Sequence, residues 1–283
     1  MTARHRVVAL TPQQWITMNW YPQAPTEVRW HMHILSKTSE LPDPLEPYLR
    51  VDRTRIEHEC WVVGHMVAGI DGTAAVHGKV GPLSTGPDQS LFRRMRRIAD
   101  IVMVGAETVR REGYGVIRLD EEARAARTAC GRPQTPPVAI VSRSLDLDWT
   151  ARVFTDAPTH ARTQLITCAA SDPDRRAQAA EVADVIIAGD DQVDPAEAFA
   201  ALAARGHGVV LCEGGPTWLG EIVAADRLDE LCLSISPVIG GDPLPVCVNP
   251  AGAGIADFEL LGTGVEDSTL FLRYEKKAGE RGD

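Results

Sequence analysis

Short, continuous apolar runs alternate with amphipathic stretches from residue 59 onward. The runs CWVVGHMVAGI (60–70), IVMVG (101–105), PPVAIVS (136–142), TQLITC (163–168), DVIIAG (184–189) and GVVLCE (208–213) are rich in valine and isoleucine. Runs of that kind predict strands buried on both faces. Between them, GPDQSLFRRMRRIAD (86–100) places Leu91, Met95 and Ile98 on one face of a helix that Asp88 can cap. DRRAQAAEV (174–182) and PAEAFAALAAR (195–205) predict two further helices. Two late runs, DELCLSISPVI (229–239) and TLFLRYEKK (269–277), predict strands with no clear helix between them, hence an antiparallel edge. This order predicts an α/β fold with a mostly parallel central sheet, helices on both faces and antiparallel edge strands.

The flanks read differently. Residues 1–57 hold Trp15, Trp20 and Trp30 and the proline-broken stretch LPDPLEP (41–47). They predict an N-terminal extension of short strands or turns packed on a main domain at 58–277, with AGERGD (278–283) as a loose tail. The net charge of −10 argues against a nucleic-acid partner, which calls for a basic surface. It leaves room for a basic pocket that holds a small anion. No apolar run reaches the ~20 residues of a membrane span. The opening MTARHRVVAL lacks the apolar core of a signal sequence, so a cytoplasmic protein with no membrane partner is expected. Cys60, Cys130, Cys168, Cys212, Cys232 and Cys247 form no C-x-x-C pair. They read as free thiols, without disulfides and without a metal site.

Chemistry concentrates at strand ends. In LCEGGPTWLGE (211–221), an apolar strand ends in Glu213, followed by Gly214, Gly215, Pro216 and Thr217. In open α/β sheets ligands bind at that end of the strands. Two glycines admit a close approach to the backbone, and a helix running from Pro216 or Thr217 to about Ala225 would aim its positive end at a phosphate. A tight strand–helix turn without a ligand is the plainer alternative, and the carboxylate beside the glycines weighs against it. VSRSLD (141–146) supplies Ser142, Arg143 and Ser144 at another strand end, a phosphate grip or simply a polar turn. IVMVGAETVRREGYGVIR (101–118) carries Thr108, Glu112, Gly113 and Gly115 after its strand, and Arg110, Arg111 and Arg118 read by default as a solvated face. In RRMRR (93–97), Arg96 points away from the face shared by Arg93 and Arg97 and can enter a pocket. The chain contains no G-x-G-x-x-G, no P-loop, no G-x-S-x-G and no zinc-deaminase signature.

Together, MVAGIDGTAA (66–75), RRIADIVMVGAETVRREGYG (96–115) and LCEGGPTWLGEIVAADRLDELCLSISPVIGG (211–241) resemble the pyrimidine reductases of riboflavin biosynthesis. The resemblance runs in order over residues 60–275. It implies a dihydrofolate-reductase-like fold, a stand-alone reductase, and NADPH bound without the usual dinucleotide fingerprint. By position it assigns the pyrophosphate to Gly214, Gly215, Pro216 and Thr217, a cofactor contact to Thr108, and the adenosine 2′-phosphate to Ser142 and Arg143. It assigns the substrate and its ribose phosphate to Arg96, Val116, Arg118 and Glu213, with Asp71 near the pocket and Glu112 beside the nicotinamide. Asp71, Glu112 and Glu213 are thus the candidate catalytic set. Two departures stand out: Gly69-Ile70 replaces the family's Ser-Leu, and Glu112-Gly113-Tyr114 replaces its Asp-Asp-Pro. The implied reaction is hydride transfer to C1′ of 5-amino-6-(5-phosphoribosylamino)uracil, opening the ribose to a ribityl chain. Reduction of dihydrofolate or another pterin, and NADPH binding without catalysis, are the alternatives. The resemblance also implies a homodimer.

Overall fold

The computed structural model of the chain describes residues 46–53 and 59–277. The expectations for 1–45, 54–57 and the tail at 278–283 lie outside them. After a single helical turn, α1 (Glu46–Leu49), the first strand β1 (Trp61–Ala68) enters the sheet, and helix α2 (Gly86–Ile98) follows a long loop. Thr85 caps α2, with Pro87 in its first turn, and Leu91 and Met95 lie fully buried as the apolar stripe requires. Then come β2 (Ile101–Gly105), α3 (Ala106–Glu112), α4 (Glu121–Ala129), β3 (Val138–Val141) and a short α5 (Arg152–Thr155). The second half alternates β4 (Gln164–Thr167), α6 (Pro173–Val182), β5 (Asp184–Ile187), α7 (Pro195–Ala203), β6 (Val209–Cys212) and α8 (Pro216–Ala224). Strands β7 (Glu230–Ile235), β8 (Phe258–Glu266) and β9 (Thr269–Lys276) complete the sheet.

The strands form one nine-stranded sheet in the order β5-β4-β3-β2-β6-β1-β7-β9-β8. Every pair from β5 to β7 is parallel, and β9 pairs antiparallel with both β7 and β8. The predicted architecture of a mostly parallel sheet with an antiparallel edge is therefore the observed one. Successive side chains of a strand point to opposite faces. Val63, Val102, Val104 and Leu211 accordingly pack with Leu91 and Met95 of α2 on one face. Val62, Met103, Val210 and Cys212 pack with Phe199 and Leu202 of α7 and with Trp218 and Leu219 of α8 on the other. Each of these large apolar side chains contributes roughly 1.5–3 kcal/mol on burial.

Besides the single turns α1 and α5, three longer elements escaped the sequence pattern. Helices α3 and α4 are short and largely polar, and β8 is a mostly exposed edge strand interrupted by Gly262 and Gly264. At the start of β7, fully buried Glu230 accepts hydrogen bonds from Arg53 Nε and Nη2 and from Arg273 Nε, all at 2.8 Å. This triad joins the segment before β1 to the antiparallel edge.

Candidate active site

The parallel strands deliver their carboxyl ends to one cleft of about 1160 Å³. Its floor is the junction of β2 and β6, where Gly105 N donates to Gly214 O at 2.9 Å and Glu213 N donates to Met103 O at 2.9 Å. Helix α2 forms one wall, the starts of α3 and α8 another, and the loop after β1 a third. Arg96, Thr108, Glu112, Ser142, Arg143, Glu213, Gly214, Gly215, Pro216 and Thr217 all line it. Ten sequence candidates scattered over some 120 residues of chain thus meet in one place.

At the centre is the carboxylate of Glu213, whose side chain is wholly buried. Arg96 grips it in a two-pronged pair, Nε to Oε1 and Nη2 to Oε2, both at 2.7 Å. The Tyr114 hydroxyl donates to Oε2 and accepts from Arg96 Nη2 at 3.0 Å. The guanidinium also lies 4.2 Å from the Phe92 ring centre and 5.6 Å from that of Tyr114. Burial, and next the Glu213 charge, push the Tyr114 hydroxyl well above the ordinary phenol value, so it stays a neutral donor. Burial works against the Arg96 charge, but Glu213 outweighs it and holds that pKa above the usual arginine value. Arg96 is therefore committed to Glu213 rather than standing free in the cleft.

Beside this network is a cradle for an anion. Gly215 starts α8 with extended backbone (φ −63°, ψ 161°) and no side-chain cap, and Pro216 follows in the first turn. Gly214 has φ +97°, a conformation that favours glycine. A methyl group on Gly215 would come 3.2 Å from Thr108 Oγ1, and one on Gly105 would come 3.3 Å from Gly215 N. The uncapped helix start and these bare backbones suit a phosphate group. Arg143 and Ser144 flank the same cleft near the end of β3.

The remaining candidates lie elsewhere or act through the loop. Asp71, Val116 and Arg118 do not line the cleft. Asp71 is exposed and accepts from Gly240 N at 2.7 Å and Thr73 N at 3.2 Å, donors that hold its pKa below the usual carboxylate value. Arg118 has a side chain 72% exposed, 3.5 Å from Asp156. Val116 is half-buried next to core residue Ile117. Glu112 lines the cleft, with Oε1 accepting from Val80 N at 2.9 Å. Asp242 holds the same loop through His77 N at 3.1 Å and Gly78 N at 2.6 Å. Sequence reasoning named Tyr114 only within a motif departure, did not single out Asp242 or the buried cleft residue His65, and read Asp88 only as a helix cap. Burial lowers the His65 pKa, against the opposing pull of Asp88 and Glu213. Among the described residues no three His, Cys, Asp or Glu side chains gather to hold a metal ion, and no helix is long and apolar enough to cross a membrane.

Comparison with known proteins gives a consistent set of relatives. The profile of the RibD C-terminal domain matches residues 60–256, more than half of the chain. The riboflavin biosynthesis protein RibD of Mycobacterium tuberculosis is 28% identical over 204 residues, 71% of this chain, so the chain spans about half (48%) of that relative. The 2,5-diamino-6-ribosylamino-4(3H)-pyrimidinone 5′-phosphate reductase of Archaeoglobus fulgidus is 25% identical over 219 residues, covering 75% of this chain and 99% of its own. Among solved structures, a pyrimidine reductase-like protein from Corynebacterium diphtheriae superposes with a TM-score of 0.71 at 26% identity, covering 78% of this chain and 93% of that one.

Proposed function

The chain belongs to the RibD C-terminal domain family, and on that premise we propose that it is an NADPH-dependent reductase of a ribosylaminopyrimidine 5′-phosphate. The observation that carries this reading is the junction of a bare-backbone helix start with the buried Glu213–Arg96–Tyr114 network in one cleft. The cradle suits a dinucleotide: Gly214, Gly215 and Thr217 would hold its pyrophosphate, and Arg143 with Ser142 its 2′-phosphate. At about 1160 Å³ the cleft exceeds the roughly 300–1,000 Å³ typical of a single small ligand, as a cofactor and a substrate together require.

When bound, NADPH supplies the hydride, with C1′ of the ribosylamino group as acceptor. The chain's own residues bind and orient. Arg96 and Tyr114 fix the Glu213 carboxylate in one rotamer, so the charged wall against which the heterocycle would lie is set without reorganising on binding. Phe92 and the loop held by Glu112 and Asp242 wall the site against water. The ring of the substrate carries a 2-amino group in the compound named for the Archaeoglobus relative, and a 2-oxo group in the uracil form.

The test is loss of reduced-nicotinamide absorbance with each ribosylaminopyrimidine phosphate and with dihydrofolate, for wild type and Glu213→Ala. Turnover of a pyrimidine, abolished by the substitution, is expected. Turnover of dihydrofolate alone moves the substrate class. Binding of NADPH with no turnover of any of the three compounds overturns the enzymatic reading.

A further inference from the structure

We propose that the segment 242–249 couples the two sides of the cleft, so that a ligand in the cradle at α8 tightens the hold of the loop after β1 on the substrate, with Gly220 as the positioning residue. The inference rests on the reductase reading above for what occupies the two sides. The segment follows β7 and runs from that loop to α8.

At its first end it is stitched to the loop. Asp242 N donates to Ala75 O at 2.9 Å, and Ala74 N donates to Leu244 O at 2.7 Å. Thr73 makes an antiparallel bridge with Pro245, and its hydroxyl donates to Asp242 O at 2.5 Å. The Asp242 carboxylate accepts from His77 N and Gly78 N. Ala74, Ala75 and Gly78 of the loop line the cleft, and so do Asp242, Pro243 and Leu244.

At its other end it lies on α8. Val248 N donates to Pro216 O at 3.0 Å. That carbonyl belongs to the helix turn that opens on the cradle, and its other lone pair serves the helix. A methyl group on Gly220 would come 1.8 Å from Val248 O and 3.1 Å from Asn249 N. Only a residue without a side chain lets the segment touch the helix there. Val246 and Cys247 pack on the core face that holds Trp218, Leu219 and Ile222.

Between these ends the segment is stiff. Pro243 and Pro245 fix their own φ and hold Asp242 and Leu244 extended. Asp242, Leu244 and Val246 are half-buried while Pro243 and Pro245 are exposed, the two-residue alternation of an edge strand. A rod pinned at both ends transmits a displacement that a slack loop would absorb. The loop it grips, between β1 and α2, contains no helix or ladder strand and is held from outside, by Asp242 and by Glu112 through Val80 N. Such a segment opens at low cost. A phosphate on the first turn of α8 fixes the rod in the position that favours the closed loop, and linkage makes the effect reciprocal.

The experiment is calorimetric titration of the full chain with the 2-amino ribosylaminopyrimidine phosphate, alone and with saturating 2′-phospho-ADP-ribose. That fragment carries the pyrophosphate but no nicotinamide, so stacking of nicotinamide on the pyrimidine cannot supply the effect. In wild type the fragment is expected to tighten the pyrimidine at least about fivefold, and the pyrimidine to tighten the fragment by the same factor. Gly220→Ala lifts the segment from α8, and Val248→Pro removes the N–H given to Pro216 O. Both are expected to abolish the coupling while the fragment alone still binds. A merely structural role would weaken both ligands and leave the factor unchanged. The wild-type factor decides even where a variant fails to fold. A factor below about twofold in wild type, or one unchanged in both variants, overturns the inference. If the ligands bind independently and NADPH reduces the pyrimidine, the reductase reading stands and only this inference falls; if neither ligand binds, both fall.

Discussion

Replacing Glu230 with glutamine separates the stability of this fold from its site. The substitution preserves shape and removes one charge from a fully buried position. Arg53 then keeps no carboxylate among the contacts described for it, while Arg273 retains Glu275 at 3.1 Å. Removing one partner of a buried ion pair costs about 3–5 kcal/mol. At roughly 2–4 °C per kcal/mol for a domain of this size, the melting temperature should fall by about 6–20 °C. The sign with pH is fixed by the folded-state pKa of Glu230. Burial alone would raise it, but Arg53 and Arg273 outweigh burial and hold it below the ordinary carboxylate value. Its contribution is thus complete above the unfolded value and is lost as pH falls through the lower folded value. The difference in melting temperature between wild type and variant should therefore be full at neutral pH and shrink in acid, read by circular dichroism. Cofactor affinity should not change, because Glu230 begins β7 and the cleft opens at the other end of the parallel strands. Replacing the triad together (Arg53→Met, Glu230→Leu, Arg273→Met) should recover most of the loss, since no charge is then stranded. A glutamine variant melting within about 2 °C of wild type at neutral pH would refute the reasoning.

Three further outcomes probe the cleft. Gly215→Ala keeps an allowed backbone but places a methyl 3.2 Å from Thr108 Oγ1, inside the cradle; NADPH affinity should fall about tenfold or more in a fluorescence titration, with overpacking of about 1–3 kcal/mol. Arg96→Lys replaces a two-pronged grip with a point charge, and kcat/KM for the pyrimidine should drop by about 10- to 100-fold while NADPH affinity stays within about twofold. His65 faces Asp88 and Arg96 of α2 and Glu213 of β6's end, and burial lowers its pKa. Folding therefore favours the neutral ring: that stability is present above the unfolded histidine value and is lost as pH falls toward the folded one. The melting temperature of His65→Leu should accordingly change less than that of wild type between about pH 7 and pH 5.

Much of the frame was legible because buried parallel strands announce themselves as valine-rich runs. The predicted strand ends at Gly105 and Glu213 are where the structure puts the floor of the cleft. What escaped lacked a period to read. Helix α4 is EEARAARTA, whose buried face is little more than Ala123 and the stem of Arg127. Strand β8 has both faces largely in solvent, so no alternation marks it. At the site, motif-bearing residues were found and their partners were not. Tyr114 entered only as part of a motif departure, His65 only within the strand run at 60–70, and Asp88 as a cap. Their roles arise only when β1 and the end of α3 come to face α2. Arg96 was expected to meet a phosphate, and the structure shows it bound to Glu213, a pairing across 117 residues that linear spacing does not encode.

The position of β6 ties the birth of the site to the folding of the sheet. β1 and β2 follow each other in sequence but are not neighbours, because β6 lies between them and pairs with both. Its pairing with β1 joins Trp61 to Val209, roughly 150 residues away, and such non-local contacts form late and slowly. Until β6 arrives, β1 has no pairing that connects it to β2 and the strands beyond it. The residues that follow β6 directly are Glu213, Gly214 and Gly215. The strand that joins the two halves of the parallel sheet therefore carries the carboxylate and the cradle in with it, so on a chain emerging from the ribosome the floor of the cleft forms in the same event that links β1 to β2, before β7 and the antiparallel edge complete the sheet.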